Sequence, residues 1–144
     1  MVLTVQTTKN PAVTITRTAT KSSQLVYLAV ANKSIQYSSG RSRIVSIGTT
    51  KNGAERIAAS AAAKAAQMLG LHGVTHLEFF VVTSSSMAKV KTWHKLERGL
   101  ILSFKEEFGE PPKCNIVGKN MIWTDELNYF TEARLRGVIL QYSV

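Results

Sequence analysis

Acidic residues are scarce in this chain. Nine Asp and Glu stand against eighteen Lys and Arg over 144 residues, a net charge of +9, which argues against a partner that is itself cationic. Cysteine is almost absent: the single Cys114 excludes an internal disulfide and is too little for a structural zinc site. No apolar run approaches the roughly 20 residues that cross a bilayer. Residues 1–23 lack the basic start and long apolar segment of a secretory leader. The expectation is therefore a cytoplasmic chain that neither enters nor spans a membrane. Repeats are missing too, which excludes solenoids and propellers. His72, His76 and His94 are scattered without a metal-ligand spacing.

What is present is enough for one domain with a core: 44% of residues are hydrophobic, an ordinary share. The positive charge is unevenly placed. Residues 1–56 hold eight basic side chains against Glu55 alone, a net +7, whereas residues 57–144 carry only +2. Such asymmetry favours an anionic partner, and a polyphosphate such as DNA or RNA is the usual one. The plainer alternative is that the lysines and arginines merely keep a small domain soluble.

The pattern predicts an α+β domain over residues 24–144, with a small antiparallel sheet of about three strands packed with helices. Residues 1–23 precede it as a basic arm or as an extra strand around Val13 and Ile15. LVYLAVA after Gln24 and RIVSI at 43–47 predict two strands of a hairpin, joined by a polar loop from Asn32 to Gly40 and closed by Gly48. The Ala-rich stretch from Thr49 to Gly70 predicts a helix, and THLEFFVVT at 75–83 a third strand. Ser84 to Ser86 should cap a second helix with Val90, Trp93, Leu96, Leu100 and Phe104 on its apolar face, ended by Gly109 and the pair Pro111 and Pro112. A last helix should begin at Thr124, Asp125 and Glu126.

Glu97 stands out within that second helix, because a carboxylate beside a buried stripe needs a partner or a task. Lys95, Arg98 and Arg56 are the partners a structural reading offers. Four other residues stand in a recognisable order with it: Tyr27 in the first strand, Gly48 ending the second, Arg56 eight residues on, and Asn115 after the prolines. From about Leu25 to Asn115 this order resembles the GIY-YIG nuclease family. The resemblance implies a metal-dependent endonuclease that hydrolyses phosphodiester bonds in DNA, with Tyr27, Arg56 and Glu97 catalytic and Glu97 holding Mg²⁺ or Mn²⁺. Glu97 would then fix the ion against the leaving oxygen, Arg56 would meet phosphate oxygens, and Tyr27 would accept a proton from the attacking water. Arg41, Arg43, Lys51, Asn115 and Lys119 are the expected nucleic-acid contacts, and Trp123 is within reach of one. Selectivity would come from the basic arm, the 32–40 segment, a partner protein or a second copy.

The sequence departs from the family pattern at named places. Leu25 and Val26 replace the first two motif residues, Ser46 stands where the second motif has Tyr, and Ser60 occupies a helix position that is often His. Tyr37 is a candidate replacement phenol. These departures motivate the alternative of a catalytically impaired nucleic-acid-binding module on the same fold.

Overall fold

The computed structural model describes residues 2–11, 24–50, 57, 63–64, 66–71 and 73–144. Residues 2–11 are exposed and form neither helix nor strand; the expected strand around Val13 and Ile15 lies outside the described residues.

Strand β1, Leu25–Tyr37, is central, flanked by β2, Gly40–Thr50, and β3, Leu77–Val82, in the order β2-β1-β3 with every pairing antiparallel. Every residue from Leu25 to Ala31 is buried because the central strand is covered on both faces. Val26, Leu28 and Val30 point into one layer, while Leu25, Tyr27, Ala29 and Ala31 point into the other. The α+β expectation holds, but two boundaries differ. Residues 32–37 are not a loop: they prolong β1, with register shifts between Val30 and Ile35, and only Ser38 and Ser39 form the turn. The turn at that end rests on the end of the helix Thr92–Phe108, with the Ser39 N–H donating to the Phe108 carbonyl at 2.9 Å and Ser38 bonded to Glu110. Likewise β2 does not stop at Gly48 but runs on to Thr50.

The larger core layer is built by α1, Thr92–Phe108, and α2, Glu132–Ser143. Leu96, Leu100 and Phe104 recur every fourth residue of α1 and meet Leu28, Ile44 and Ile47 of the sheet in one buried cluster. Gly99 lets α2 come close, since a Cβ there would stand 3.0 Å from Leu135 Cδ1. The predicted end of α1 is correct: Gly109 is left-handed (φ 81°) and its N–H donates to the Lys105 carbonyl at 2.8 Å. Its start is not at the serines. Met87 and Val90 bridge across a tight turn with Lys89 at φ 63°, and the helix begins only at Thr92.

The last predicted helix is also corrected. Glu126–Asn128 forms a short 3-10 turn, and α2 starts separately behind Thr131, whose hydroxyl accepts from the Arg134 N–H at 3.2 Å. On the opposite face of the sheet, Met68, Val74 and Cys114 pack on Ala29, Ala31 and Val45, and Ile57 packs on Leu25 and Tyr27. The described part of the Ala-rich segment is helical at 57, 63–64 and 66–69.

Candidate active site on the β2 edge

Three consecutive residues of the edge strand β2 each receive one of the candidate side chains. Asn115 comes from the loop beyond the prolines: its Oδ1 accepts from the Ile47 N–H at 2.8 Å and its Nδ2 donates to the Ile47 carbonyl at 3.1 Å. It thus takes the place of a missing neighbouring strand. Tyr27 is the cross-strand partner of Gly48 and its ring lies over the face that glycine leaves open. Glu97 reaches the side chain of Thr49 from α1. Side-chain alternation puts Gly48 and Thr49 on opposite sides of β2, so Tyr27 and Glu97 approach the strand from different layers. The charge of Lys64 acts on both Glu97 and Cys114.

Glu97 is half-buried, and burial pushes its carboxyl above the ordinary value of 4.5, while the Thr49 hydrogen bond, Lys64 and Arg98 pull the other way. Two of the neighbours that the sequence offers it, Lys95 and Arg98, are engaged elsewhere, and the third, Arg56, lies outside the described residues. Lys95 pairs with Asp125 at 2.6 Å, and Arg98 pairs with Glu126 at 2.6 Å while donating to the Ile122 carbonyl. Glu126 is fully buried; burial raises its carboxyl, but hydrogen bonds from Thr124 and Arg98 outweigh that and hold it below the usual range.

The remaining sequence-predicted residues fall in several places. Arg56 and Lys51, with Ser60, lie outside the described residues. Arg41 is exposed near the end of the hairpin, where it bonds Ser34 and Gln36. Arg43 donates to the carbonyls of Ala31 and Val144. Lys119 is exposed in the loop after Asn115. Tyr37 does point inward, yet into the core: its hydroxyl donates to the Ile44 carbonyl at 2.7 Å and accepts from the Lys113 N–H, and burial drives its pKa far upward. Its hydroxyl is thus occupied by backbone groups of β2 and of the segment before Asn115. Trp123 is half-buried, with its indole N–H on Glu106.

Sequence reasoning passed over Thr49 and Lys64. Thr49 follows Gly48 directly, and its alternation against a half-buried carboxylate was the available signal. Ser46 is 1% exposed, and no hydrogen-bond partner for its hydroxyl is found among the described residues.

A metal implied by the resemblance finds a sparse donor set: among the described residues no group of three or more His, Cys, Asp or Glu is arranged to hold an ion. A hard divalent cation that keeps most of its waters needs only one or two carboxylates plus substrate oxygens. The half-buried Glu97 beside the Thr49 hydroxyl fits that requirement, and among the described residues no ion pair to it is found. No helix of the described residues is long and apolar enough to cross a membrane. No protein-family model, curated protein or solved structure matches the chain.

Proposed function

We propose that the chain is a divalent-metal-dependent endonuclease of the GIY-YIG type acting on DNA, with its active site on the β2 edge. The observation that carries this reading is that Asn115, Tyr27 and Glu97 are set against three consecutive residues of β2, Ile47, Gly48 and Thr49, with Tyr27 and Glu97 reaching the strand from its two faces. The order of elements, a hairpin followed by helical turns, a third strand and a helix bearing the carboxylate, is consistent with it.

Within this reading Glu97, with Thr49 alongside, would hold Mg²⁺ or Mn²⁺. When bound, the ion supplies electrostatic stabilisation of charge growing on the phosphate and leaving oxygens. Burial on α1 keeps the Glu97 carboxylate poorly hydrated, so its charge is exchanged readily for a cation contact rather than for water. Tyr27 lies against Gly48, and with its hydroxyl deprotonated under the influence of Arg56 or the metal it would take the proton of the attacking water. Arg56 is assigned to the phosphate by the resemblance, as a planar fork of donors matched to its oxygens. Asn115 keeps β2 straight at Ile47 and thereby holds Gly48 and Thr49 in register.

The buried Ser46 favours a second reading, a nucleic-acid-binding module without turnover, because the motif's second phenol has no counterpart at that position. Incubation with supercoiled plasmid and branched DNA, with Mg²⁺ or Mn²⁺, separates the two. Metal-dependent nicking that Glu97→Ala and Arg56→Ala both abolish supports the nuclease. Salt-sensitive binding with no product from the wild type supports the module.

A further inference from the structure

The loop at residues 116–123, IVGKNMIW, is held rigidly and yet displays apolar side chains to water. Lys105 Nζ donates to the carbonyls of Lys119 and Met121, Arg98 donates to the Ile122 carbonyl, and the Met121 N–H closes on Gly118. Gly118 itself is buried in a left-handed conformation (φ 128°), where a Cβ would meet Pro111 at 2.9 Å and Ile101 at 3.0 Å. Met121 and Trp123 point inward onto the core. Between these anchors Ile116 is 90%, Val117 58% and Ile122 72% exposed. A backbone clamped by two cations, carrying three branched apolar side chains outward, is costly in water unless something covers them.

We propose that this loop is a wedge that inserts apolar side chains between base steps of nucleic acid held at the β2 edge. The inference rests on the nucleic-acid-binding half of the proposed function. Ile116 follows Asn115 directly, and Asn115 is fixed on Ile47, so the loop is continuous with the candidate site. Its carbonyls at Lys119, Met121 and Ile122 are turned toward Lys105 and Arg98, which removes acceptors that would repel a phosphate, while the Lys119 side chain is exposed. The net charge of +9 complements a polyanion. Isoleucine and valine are poor stacking platforms but suitable wedges: branched aliphatic side chains pry a flexible step open and kink the duplex. A surface for a protein partner would instead favour aromatic residues and disfavour lysine.

The test is binding of the intact chain in EDTA to a short duplex whose TA steps carry the fluorescent adenine analogue aminopurine. The wild type is expected to bind and to raise the fluorescence as the steps unstack. Ile116→Ser/Ile122→Ser is expected to bind about tenfold more weakly, with an unchanged salt slope and no fluorescence rise. Lys119→Ala should lower the salt slope by about one while retaining the rise. Because both isoleucines are exposed, unfolding curves of the double variant should match the wild type; if they do not, Ile116→Ser alone is read in the same assay. Wild-type binding without a rise, or a rise that survives the isoleucine substitutions, overturns the wedge and leaves the nucleic-acid reading standing. Absence of any salt-dependent binding overturns both. Self-association that the double variant abolishes reassigns the surface to a second copy and overturns the wedge as well.

Discussion

Tyr27 and Gly48 face each other across the β1–β2 ladder, and the tyrosine ring occupies the space a side chain at position 48 would need: a Cβ there would stand 2.5 Å from Tyr27 Cζ and 3.0 Å from Cε1. Gly48 is thus glycine because of its neighbour rather than because of its own backbone angles. Gly48→Ala is expected to destabilise by about 1–3 kcal/mol through overpacking. In a Tyr27→Ala background the same change should cost well under half as much, since the two positions share one volume. Denaturant unfolding of the four proteins measures the coupling, and additive effects would show that the ring does not depend on the glycine.

Glu97 has its carboxyl raised by burial, so the folded state keeps its proton to higher pH than the unfolded chain does. This group's contribution to stability is complete below the ordinary value of 4.5 and is lost as pH rises through the raised folded value. Glu97→Gln should therefore flatten the decline and stabilise the apo protein near neutral pH by on the order of 1 kcal/mol. Thermal melts against pH test the sign. Addition of Mg²⁺ or Mn²⁺ should raise the melting temperature of the wild type and leave Glu97→Gln unmoved. Equal shifts in both proteins would remove Glu97 from the metal site.

Arg98 and Glu126 behave oppositely. The buried Glu126 carboxylate is held below the usual range, so its stability is present above the ordinary value of 4.5 and is lost as pH falls through the depressed folded value. Arg98→Ala leaves that charge with Thr124 and its own backbone N–H and also releases the Ile122 carbonyl, at a cost of about 2–3 kcal/mol. Urea midpoints at neutral and acid pH should converge for wild type and variant as Glu126 protonates.

Asn115 closes both backbone groups of Ile47 with one amide. Asn115→Ala should cost about 1–2 kcal/mol, whereas Asn115→Asp should cost more, because a carboxylate oxygen replaces the Nδ2 donor opposite the Ile47 carbonyl. Hydrogen exchange of the Ile47 amide reports the effect directly: faster in the alanine variant, protected in the wild type.

Ser46 buries a hydroxyl for which no partner is found among the described residues. Ser46→Ala is expected to be neutral or to stabilise by up to about 1 kcal/mol, and to leave any nicking rate unchanged. Ser46→Tyr, which restores the motif residue, should instead destabilise, because position 46 is 1% exposed. A tyrosine variant that is stable and faster would place this position in the chemistry.

Much of the fold was legible from local chemistry alone. The apolar run Leu25 to Ala31, the branched and aromatic Leu77–Val82, the four-residue spacing of Leu96, Leu100 and Phe104 and the left-handed stop at Gly109 each reflect propensities or periodicities carried within a few residues of chain. The composition also set the charge surplus, and Glu97 was conspicuous as a carboxylate beside an apolar stripe. What depended on residues distant in sequence was decided only in three dimensions. Residues 35–37 become strand because β2 is there to pair with them, and the last helix breaks at Glu126 because Arg98, 28 residues earlier, draws that carboxylate inside. Tyr37 enters the core because Ile44 and Lys113 offer its hydroxyl two backbone partners. The candidate site has the same origin: Asn115, Tyr27 and Glu97 are set against three adjacent residues of β2 only after the loop, the hairpin and α1 have packed. Burial and pairing are properties of the assembled layers, and a local pattern carries no information about which distant group will fill the remaining valence.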